Sequence, residues 1–239
     1  MSTLTRFQNY FLYTKSNWWY WLFSIFCRLS LAYAFLVAGG VKIFGERFAS
    51  GLSEIHPMGA YLEALHHTGY YYTFIGVAQI VAAILLLIPR TVALGALLYF
   101  PIILNIWVLS FAVRFEGSFV TSPLMVLANL FLLAWHYDKF QYLLPFWKPP
   151  GIPVFTRPKK YSKKFPWKFF LAVLALSAGT VLFALFGLEV MPRNSLKDCQ
   201  SQFTGRANEL AGNDFCACIH KEGGSLDACL MRYEEALAK

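Results

Sequence analysis

Five long apolar stretches, separated by short polar or basic links, dominate this chain. The first runs from Trp18 to Lys42, carries a single internal charge, Arg28, and opens on Trp18, Trp19, Tyr20 and Trp21. A membrane span needs ~20 mostly apolar residues, because its backbone polar groups must be satisfied within the segment. Aromatic runs at the start of such a segment mark the headgroup level. The same pattern predicts further spans at about Tyr70–Ile88, Thr91–Val113, Val120–Tyr137 and Trp167–Val190. Pro89-Arg90 reads as a minimal turn, and Arg114 to Phe119 as another, with Gly117 and Ser118 as its breakers. Between the first two spans, Leu52, Ile55, Met58, Leu62 and Leu65 recur at spacings of three and four, which predicts an interfacial helix interrupted near Pro57. Residues 1–17 read as a polar and aromatic flank. Links this short favour an antiparallel four-helix bundle.

The pattern changes after Asp138. Prolines 145, 149, 150, 153, 158 and 166 forbid a continuous helix there, and lysines and arginines accumulate. Four domains follow from these shifts: a membrane bundle over 1–140, a basic Pro-rich cytoplasmic linker over 141–166, a fifth transmembrane helix over 167–190 and a small exported domain over 191–239.

Composition fits that picture: 57% of the residues are hydrophobic, 18% aromatic and 14% charged, which excludes disorder and argues against a soluble globular domain. A net charge of +8 could suggest nucleic acid, but the basic residues sit between spans, where they set topology. With the N-terminus inside, Arg6, Lys15, Arg90, Lys139, Lys148, Arg157, Lys159, Lys160, Lys163, Lys164 and Lys168 all face the cytoplasm. Only Lys42, Arg47 and Arg114 mark the outer loops. The expected location is a bacterial inner membrane, multi-pass, with a cytoplasmic N-terminus and a periplasmic C-terminus. The first apolar run is long and lacks a small-residue cleavage site, so it reads as a retained span rather than a signal peptide. The cysteines agree, since four of the five lie in the tail, which this topology places in an oxidising compartment.

Two constellations could carry chemistry. Arg28, Gln79, Asn105 and Asn129 each fall near the middle of a different span, which suggests an intramembrane polar centre that binds a ligand. Amides that hydrogen-bond between transmembrane helices as glue are the structural alternative. No Asp or Glu lies in a span core to neutralise Arg28. Its guanidinium is therefore expected to point into the bundle toward Gln79, Asn105 or Asn129, and Arg28→Leu to leave folding intact. Ala34 and Ala38, and Ala175 and Gly179, read as packing notches.

In the tail, Leu196, Cys199, Phe203, Ala207 and Leu210 would line one helical face, and Leu226, Cys229, Leu230, Tyr233 and Leu237 another, with Ser225 as an N-cap. So short a domain needs disulfides. A Cys216–Cys218 ring would be strained, which leaves Cys199 paired with one of them and Cys229 with the other. A Cys-x-Cys redox couple, or a metal site adding His220, is the sharper alternative; the Cys-x-x-Cys of thiol–disulfide enzymes is absent. His56, His66 and His67, with Glu54 and Glu63 nearby, read as a solvated surface, and no metal is expected.

The stretch RLSLAYAFLVAGGVKIFG, in which Arg28 is followed by Gly39-x-x-Lys42, resembles the first helix of the DoxX-like membrane protein family. IGVAQIVAAILLLIPRTVALGALLYFPIILN resembles its second and third helices. The likeness covers about residues 19–140 and implies an all-α membrane protein. Its core would be a DoxX-like antiparallel four-helix transmembrane bundle, to which this chain adds a fifth transmembrane helix and a disulfide-stapled helical C-terminal domain. Some members resemble the small membrane subunit of a thiosulfate:quinone oxidoreductase, and others are accessory partners in redox complexes. Where members often carry a glutamate in the second helix, this chain has Gln79. The resemblance implies an accessory subunit of a larger envelope or quinone-linked redox complex, with a quinone or lipid as ligand and other membrane or periplasmic subunits as partners. The alternative is a membrane thiol/quinone oxidoreductase that uses the tail cysteines.

Overall fold

The computed structural model describes residues 3–140, 158 and 160–238. Its helices are α1 (Thr3–Lys15), α2 (Trp18–Ile43), α3 (Pro57–His66), α4 (Tyr70–Leu87), α5 (Val92–Ala112), α6 (Glu116–Phe119), α7 (Thr121–Trp135), α8 (Tyr137–Phe140), α9 (Trp167–Phe186), α10 (Leu196–Ser201), α11 (Glu209–His220) and α12 (Leu226–Leu237). Among the described residues, five segments are long and apolar enough to cross a membrane: α2, α4, α5, the continuous Glu116–Trp135 and α9.

The first four spans form a ring, each packed against its neighbours, with α7 closing back on α2. Half of the ring is solid. Cys27, Leu31, Phe35, Ala82, Ala83, Leu86, Ala96, Tyr99, Ile103 and Leu132 form its core, and the rings of Phe35 and Tyr99 stack with centroids 3.5 Å apart. Van der Waals contact and close backbone approach hold such a core together, because lipid tails are as apolar as leucine. The closest approach is between α2 and α4. A Cβ on Gly76 would stand 2.8 Å from Lys42 Cβ and 2.9 Å from the Gly39 carbonyl oxygen, and one on Gly39 would meet the Gly76 carbonyl at 2.8 Å.

The two ends of the ring differ in chemistry. At one, the basic face, Lys15 pairs with Asp138 at 2.6 Å, both buried. The chain leading into α9 returns to the start of α2 through Trp18 N–H to Ser162 O (2.9 Å), Ser162 N–H to Ser16 O (2.9 Å) and Asn17 Nδ2 to Lys164 O (2.7 Å). At the other, α3 and its preceding loop roof the bundle with Leu52, Met58 and Leu62, packed on Phe115.

Over that roof sits the third unit, α10–α12, closed by Cys199–Cys216 and Cys218–Cys229. Its core joins the cysteines to Val190, Phe203, Phe215, Ile219, Leu226 and Tyr233. Arg114 donates to Val190 O at 2.6 Å, and Arg193 pairs with Glu116 at 2.7 Å, fixing the unit to the α5–α6 turn. His220 Nε2 bonds Pro192 O at 2.7 Å, and its ring lies 5.6 Å from that of His56. His56 is fully buried and caps α3 by accepting from Met58 N–H, which requires an unprotonated Nδ1. Burial, with His220 beside it, pushes its pKa down to about 4 and keeps the cap neutral.

Several boundaries differ from the pattern. Residues 3–15 form a helix rather than a flank, anchored by buried Lys15. Pro57 does not interrupt a helix but starts one at its first turn, where a missing N–H costs nothing. Gly117 and Ser118 lie inside α6, not in a turn. A Cβ on Gly117 would run into the Phe115 ring, and Ser118 hydrogen-bonds Ser110, so both residues join the loop to the bundle. The fifth span ends at Phe186, and Val190 belongs to the disulfide unit. Gly179 is no packing notch among the described residues: a Cβ there would meet none of them within 4 Å. In the tail, the first helix stops at Ser201. Gly205 turns with φ +73°, which leaves Leu210 84% exposed rather than on a shared face with Cys199. Ser225 does cap α12, accepting from Ala228 N–H at 3.4 Å. The linker reading over 141–157 lies outside the described residues.

Candidate functional site

Arg28 stands in the third turn of α2. At ~1.5 Å per residue, the 26-residue α2 is about 12 Å longer than the 18-residue α4. The chain therefore meets α4 partway along α2, and Arg28 falls level with the last turn of α4. Its Nε donates to Leu86 O and its Nη2 to Leu87 O, both at 2.9 Å. These are carbonyls that a helix end leaves without partners. The expected contact with Gln79, Asn105 or Asn129 is not made. The reason is reach: Arg28 lies at the basic-face end of α4, and orphan carbonyls there are better acceptors than amides deeper in the ring. Two hydrogen bonds from a charged donor contribute on the order of 2 kcal/mol. Arg28→Leu is therefore expected to lower the thermal stability of the detergent-purified protein, with Arg28→Lys intermediate, because an ammonium can follow only one of the two carbonyls. Equal melting curves for Arg28→Leu and the parent protein would refute the capping role.

Asn129 is fully buried and donates to Ala96 O at 3.1 Å, joining α7 to α5 as interhelical glue. Gln79 and Asn105 do come together. Both line a cavity of about 690 Å³ in the half of the ring beneath α3, with walls from α2, α4, α5, α6 and α7. Gln79 is 1% exposed, and its Oε1 has no hydrogen-bond partner among the described residues. Tyr99 Oη, Trp107 Nε1 and Asn129 Oδ1, whose residues do not line the cavity, are likewise buried without partners among the described residues. Buried polar atoms are ordinarily paired, and a ligand or water is one way to pair them. The serines of the wall are already committed, Ser110 to Ile106 O and Ser122 to Ser118 O, both at 2.7 Å.

The residue that composition and spacing did not single out as a site member is Lys42. It closes the last turn of α2, is 7% exposed and lines the same cavity. Its ammonium donates to Ala38 O at 3.0 Å and lies 4.6 Å from the centre of the Phe48 ring and 5.8 Å from that of Tyr72. None of the ion pairs among the described residues includes it. The glycine crossing sets its place. Lys42 packs over Gly76 while Gln79 packs over Gly39, so the two polar groups stand about one turn apart along the crossing. The signal was present in Gly39-x-x-Lys42, which puts a small residue and a cation on one face of a span.

Outside the cavity, Glu63, His66 and His67 bring ligand atoms within 4.8 Å of one another on the surface of α3. Arg47 Nε holds Glu63 at 3.2 Å, so the carboxylate already has a cationic partner. The four tail cysteines are at most 1% exposed, as two disulfides, and Cys27 is a buried free thiol. The pairing is one of those left open by the strained-ring argument.

No family model matches the chain, and no solved structure matches it. Over 110 residues it is 37% identical to the uncharacterized protein YwoB of Bacillus subtilis (strain 168), an overlap of 44% of this chain and 71% of that protein. A ring of four apolar helices around a polar-lipped cavity, capped by a disulfide unit, is thus built on a chain that belongs to the same family as YwoB.

Proposed function

We propose that this protein is a non-catalytic membrane subunit, DoxX-like in its first four spans, that holds an amphipathic ligand for a larger envelope or quinone-linked redox complex. The observation that carries the reading is the cavity: about 690 Å³, largely apolar, with Lys42, Gln79 and Asn105 in its wall. Ligand sites are typically ~300–1,000 Å³ and combine apolar walls with a few polar groups that fix orientation. A quinone or a single-chain lipid fits that description. The face carrying the disulfide unit is periplasmic and the basic face cytoplasmic, in line with the lysine and arginine bias and the oxidised cysteines. On α9 no side chain is buried, which leaves room for lipid or a neighbouring subunit. A thiol-oxidising role for the tail finds less support, because its disulfides are core residues and no tail residue lines the cavity.

The test is purification in mild detergent with extraction and mass spectrometry of whatever small molecules remain. The parent protein is expected to carry close to one amphiphile per chain. Ala38→Trp, which fills the cavity from α2, is expected to lose it while staying folded. A parent protein that carries none, and binds none when supplied, would overturn the proposal.

A further inference from the structure

We infer that the cavity's ligand is an acidic single-chain amphiphile, with a carboxylate or phosphate headgroup set against Lys42; this deepens the ligand-holding reading above and rests on it. The argument begins with the charge. A buried ammonium in a low-dielectric wall is costly unless it is paired. Here one donor position goes to Ala38 O, and two aromatic faces give partial compensation. An ammonium has three donors, and among the described residues no carboxylate supplies the missing negative charge. A neutral quinone would place carbonyl oxygens near the amides and leave that charge uncompensated. An acid headgroup would compensate it.

The rest of the wall fits the same occupant. Gln79 and Asn105 form no hydrogen bond with another described residue, and both face the cavity, so their amide N–H groups are free to donate to headgroup oxygens. Among the wall serines, Ser110 and Ser122 donate to backbone carbonyls and Ser118 pairs with the Ser110 hydroxyl, so they do not compete. Ala34, Phe35, Ile102, Ile106, Leu109 and Met125 supply an apolar lining for one chain. One cation matches one acidic group. Because Lys42 stands in the last turn of α2, near the roof, the headgroup is placed close to the level of the membrane interface on the disulfide face.

Three probes test this on the full chain in nanodiscs of neutral lipid: oleate, dodecyl phosphate and a neutral decyl-quinone, each followed by native mass spectrometry and thermal shift. Oleate or dodecyl phosphate is expected to bind the parent protein more tightly than the quinone, and the tighter of the two names the headgroup. Lys42→Met, which keeps the side-chain length, is expected to weaken the acidic probe about tenfold or more and leave the quinone unchanged, whereas Lys42→Arg retains acid binding. Melting of the ligand-free Lys42→Met protein at or above the parent temperature would show that the loss is not unfolding. Preferential quinone binding that ignores Lys42→Met would overturn the acidic ligand while leaving the cavity reading intact. Failure of the parent protein to bind any of the three would take down both.

Discussion

Replacing Cys218 and Cys229 together by alanine is expected to unfold the disulfide unit while the membrane ring stays folded. The unit has three helices of 6, 12 and 12 residues, at or below the length at which isolated helices are marginal. Its core is small, and a domain of this size rarely accumulates more than ~3–5 kcal/mol from packing alone. A disulfide that closes a loop of roughly this size contributes about 3 kcal/mol, most of what such a core supplies. The Cys218–Cys229 bridge also organises the turn between α11 and α12. A Cβ on Gly224 would stand 2.7 Å from Cys229 Sγ and 2.8 Å from Cys218 Sγ, so the bridge lies directly on that backbone. Limited trypsin digestion of the full chain reads the outcome. Cleavage at Lys221 and Arg232 should accelerate by at least an order of magnitude, with the ring protected. Alkylation of the denatured, unreduced parent protein should modify Cys27 alone. A variant tail as resistant as the parent would show that packing against the roof, not the bridge, holds the unit.

The second large effect is expected at the α2–α4 crossing. Gly76→Leu should abolish a monodisperse folded protein or lower its melting temperature steeply. Even Gly76→Ala should cost about 1–3 kcal/mol, the usual penalty for overpacking. A side chain at Gly76 would meet Lys42 Cβ and the Gly39 backbone, and neither is the far end of a flexible chain. The helices must separate, and the placing of Lys42 and Gln79 over the crossing glycines goes with them. Gly179→Leu in α9 is the control, since nothing lies within 4 Å of a Cβ there, and it is expected to be neutral. Comparable losses at both positions would mean that any bulky substitution in a span is harmful and that the crossing is not special.

The spans were legible because an apolar run bounded by aromatics has one physical solution in a bilayer, and each was placed within a few residues. The fourth was not. Gly117 and Ser118 carry turn propensity, but a ring contact and a hydroxyl pair override it, and neither is visible in a local window. Arg28 was recognised as a residue that must have acceptors, but its partners depend on the relative lengths of α2 and α4, which spacing does not encode. The depth of Gln79 and Asn105 in their spans marks them as candidates, and both line the cavity, whereas Asn129 has the same depth and joins α7 to α5. Lys42 reads in sequence as a loop-end charge, since its burial depends on a roof folded from residues 44–66. Ring strain excludes a Cys216–Cys218 bridge and leaves two pairings for the tail, between which spacing does not choose; the break after Ser201 depends on Gly205, whose positive φ local spacing does not encode.

The disulfide unit is synthesised after the ring, and the groups it docks on, His56, Arg114 and Glu116, are made more than 70 residues earlier. During biogenesis the ring and its roof can therefore be complete before the unit arrives, so it folds onto a finished template rather than guiding assembly. On the proposed topology, its cysteines meet oxidant only after α9 has threaded its far end across the bilayer. A chain stalled at that step would carry four reduced thiols beside an otherwise native ring. The oxidation state of the tail thus records, molecule by molecule, whether insertion of the fifth helix has finished.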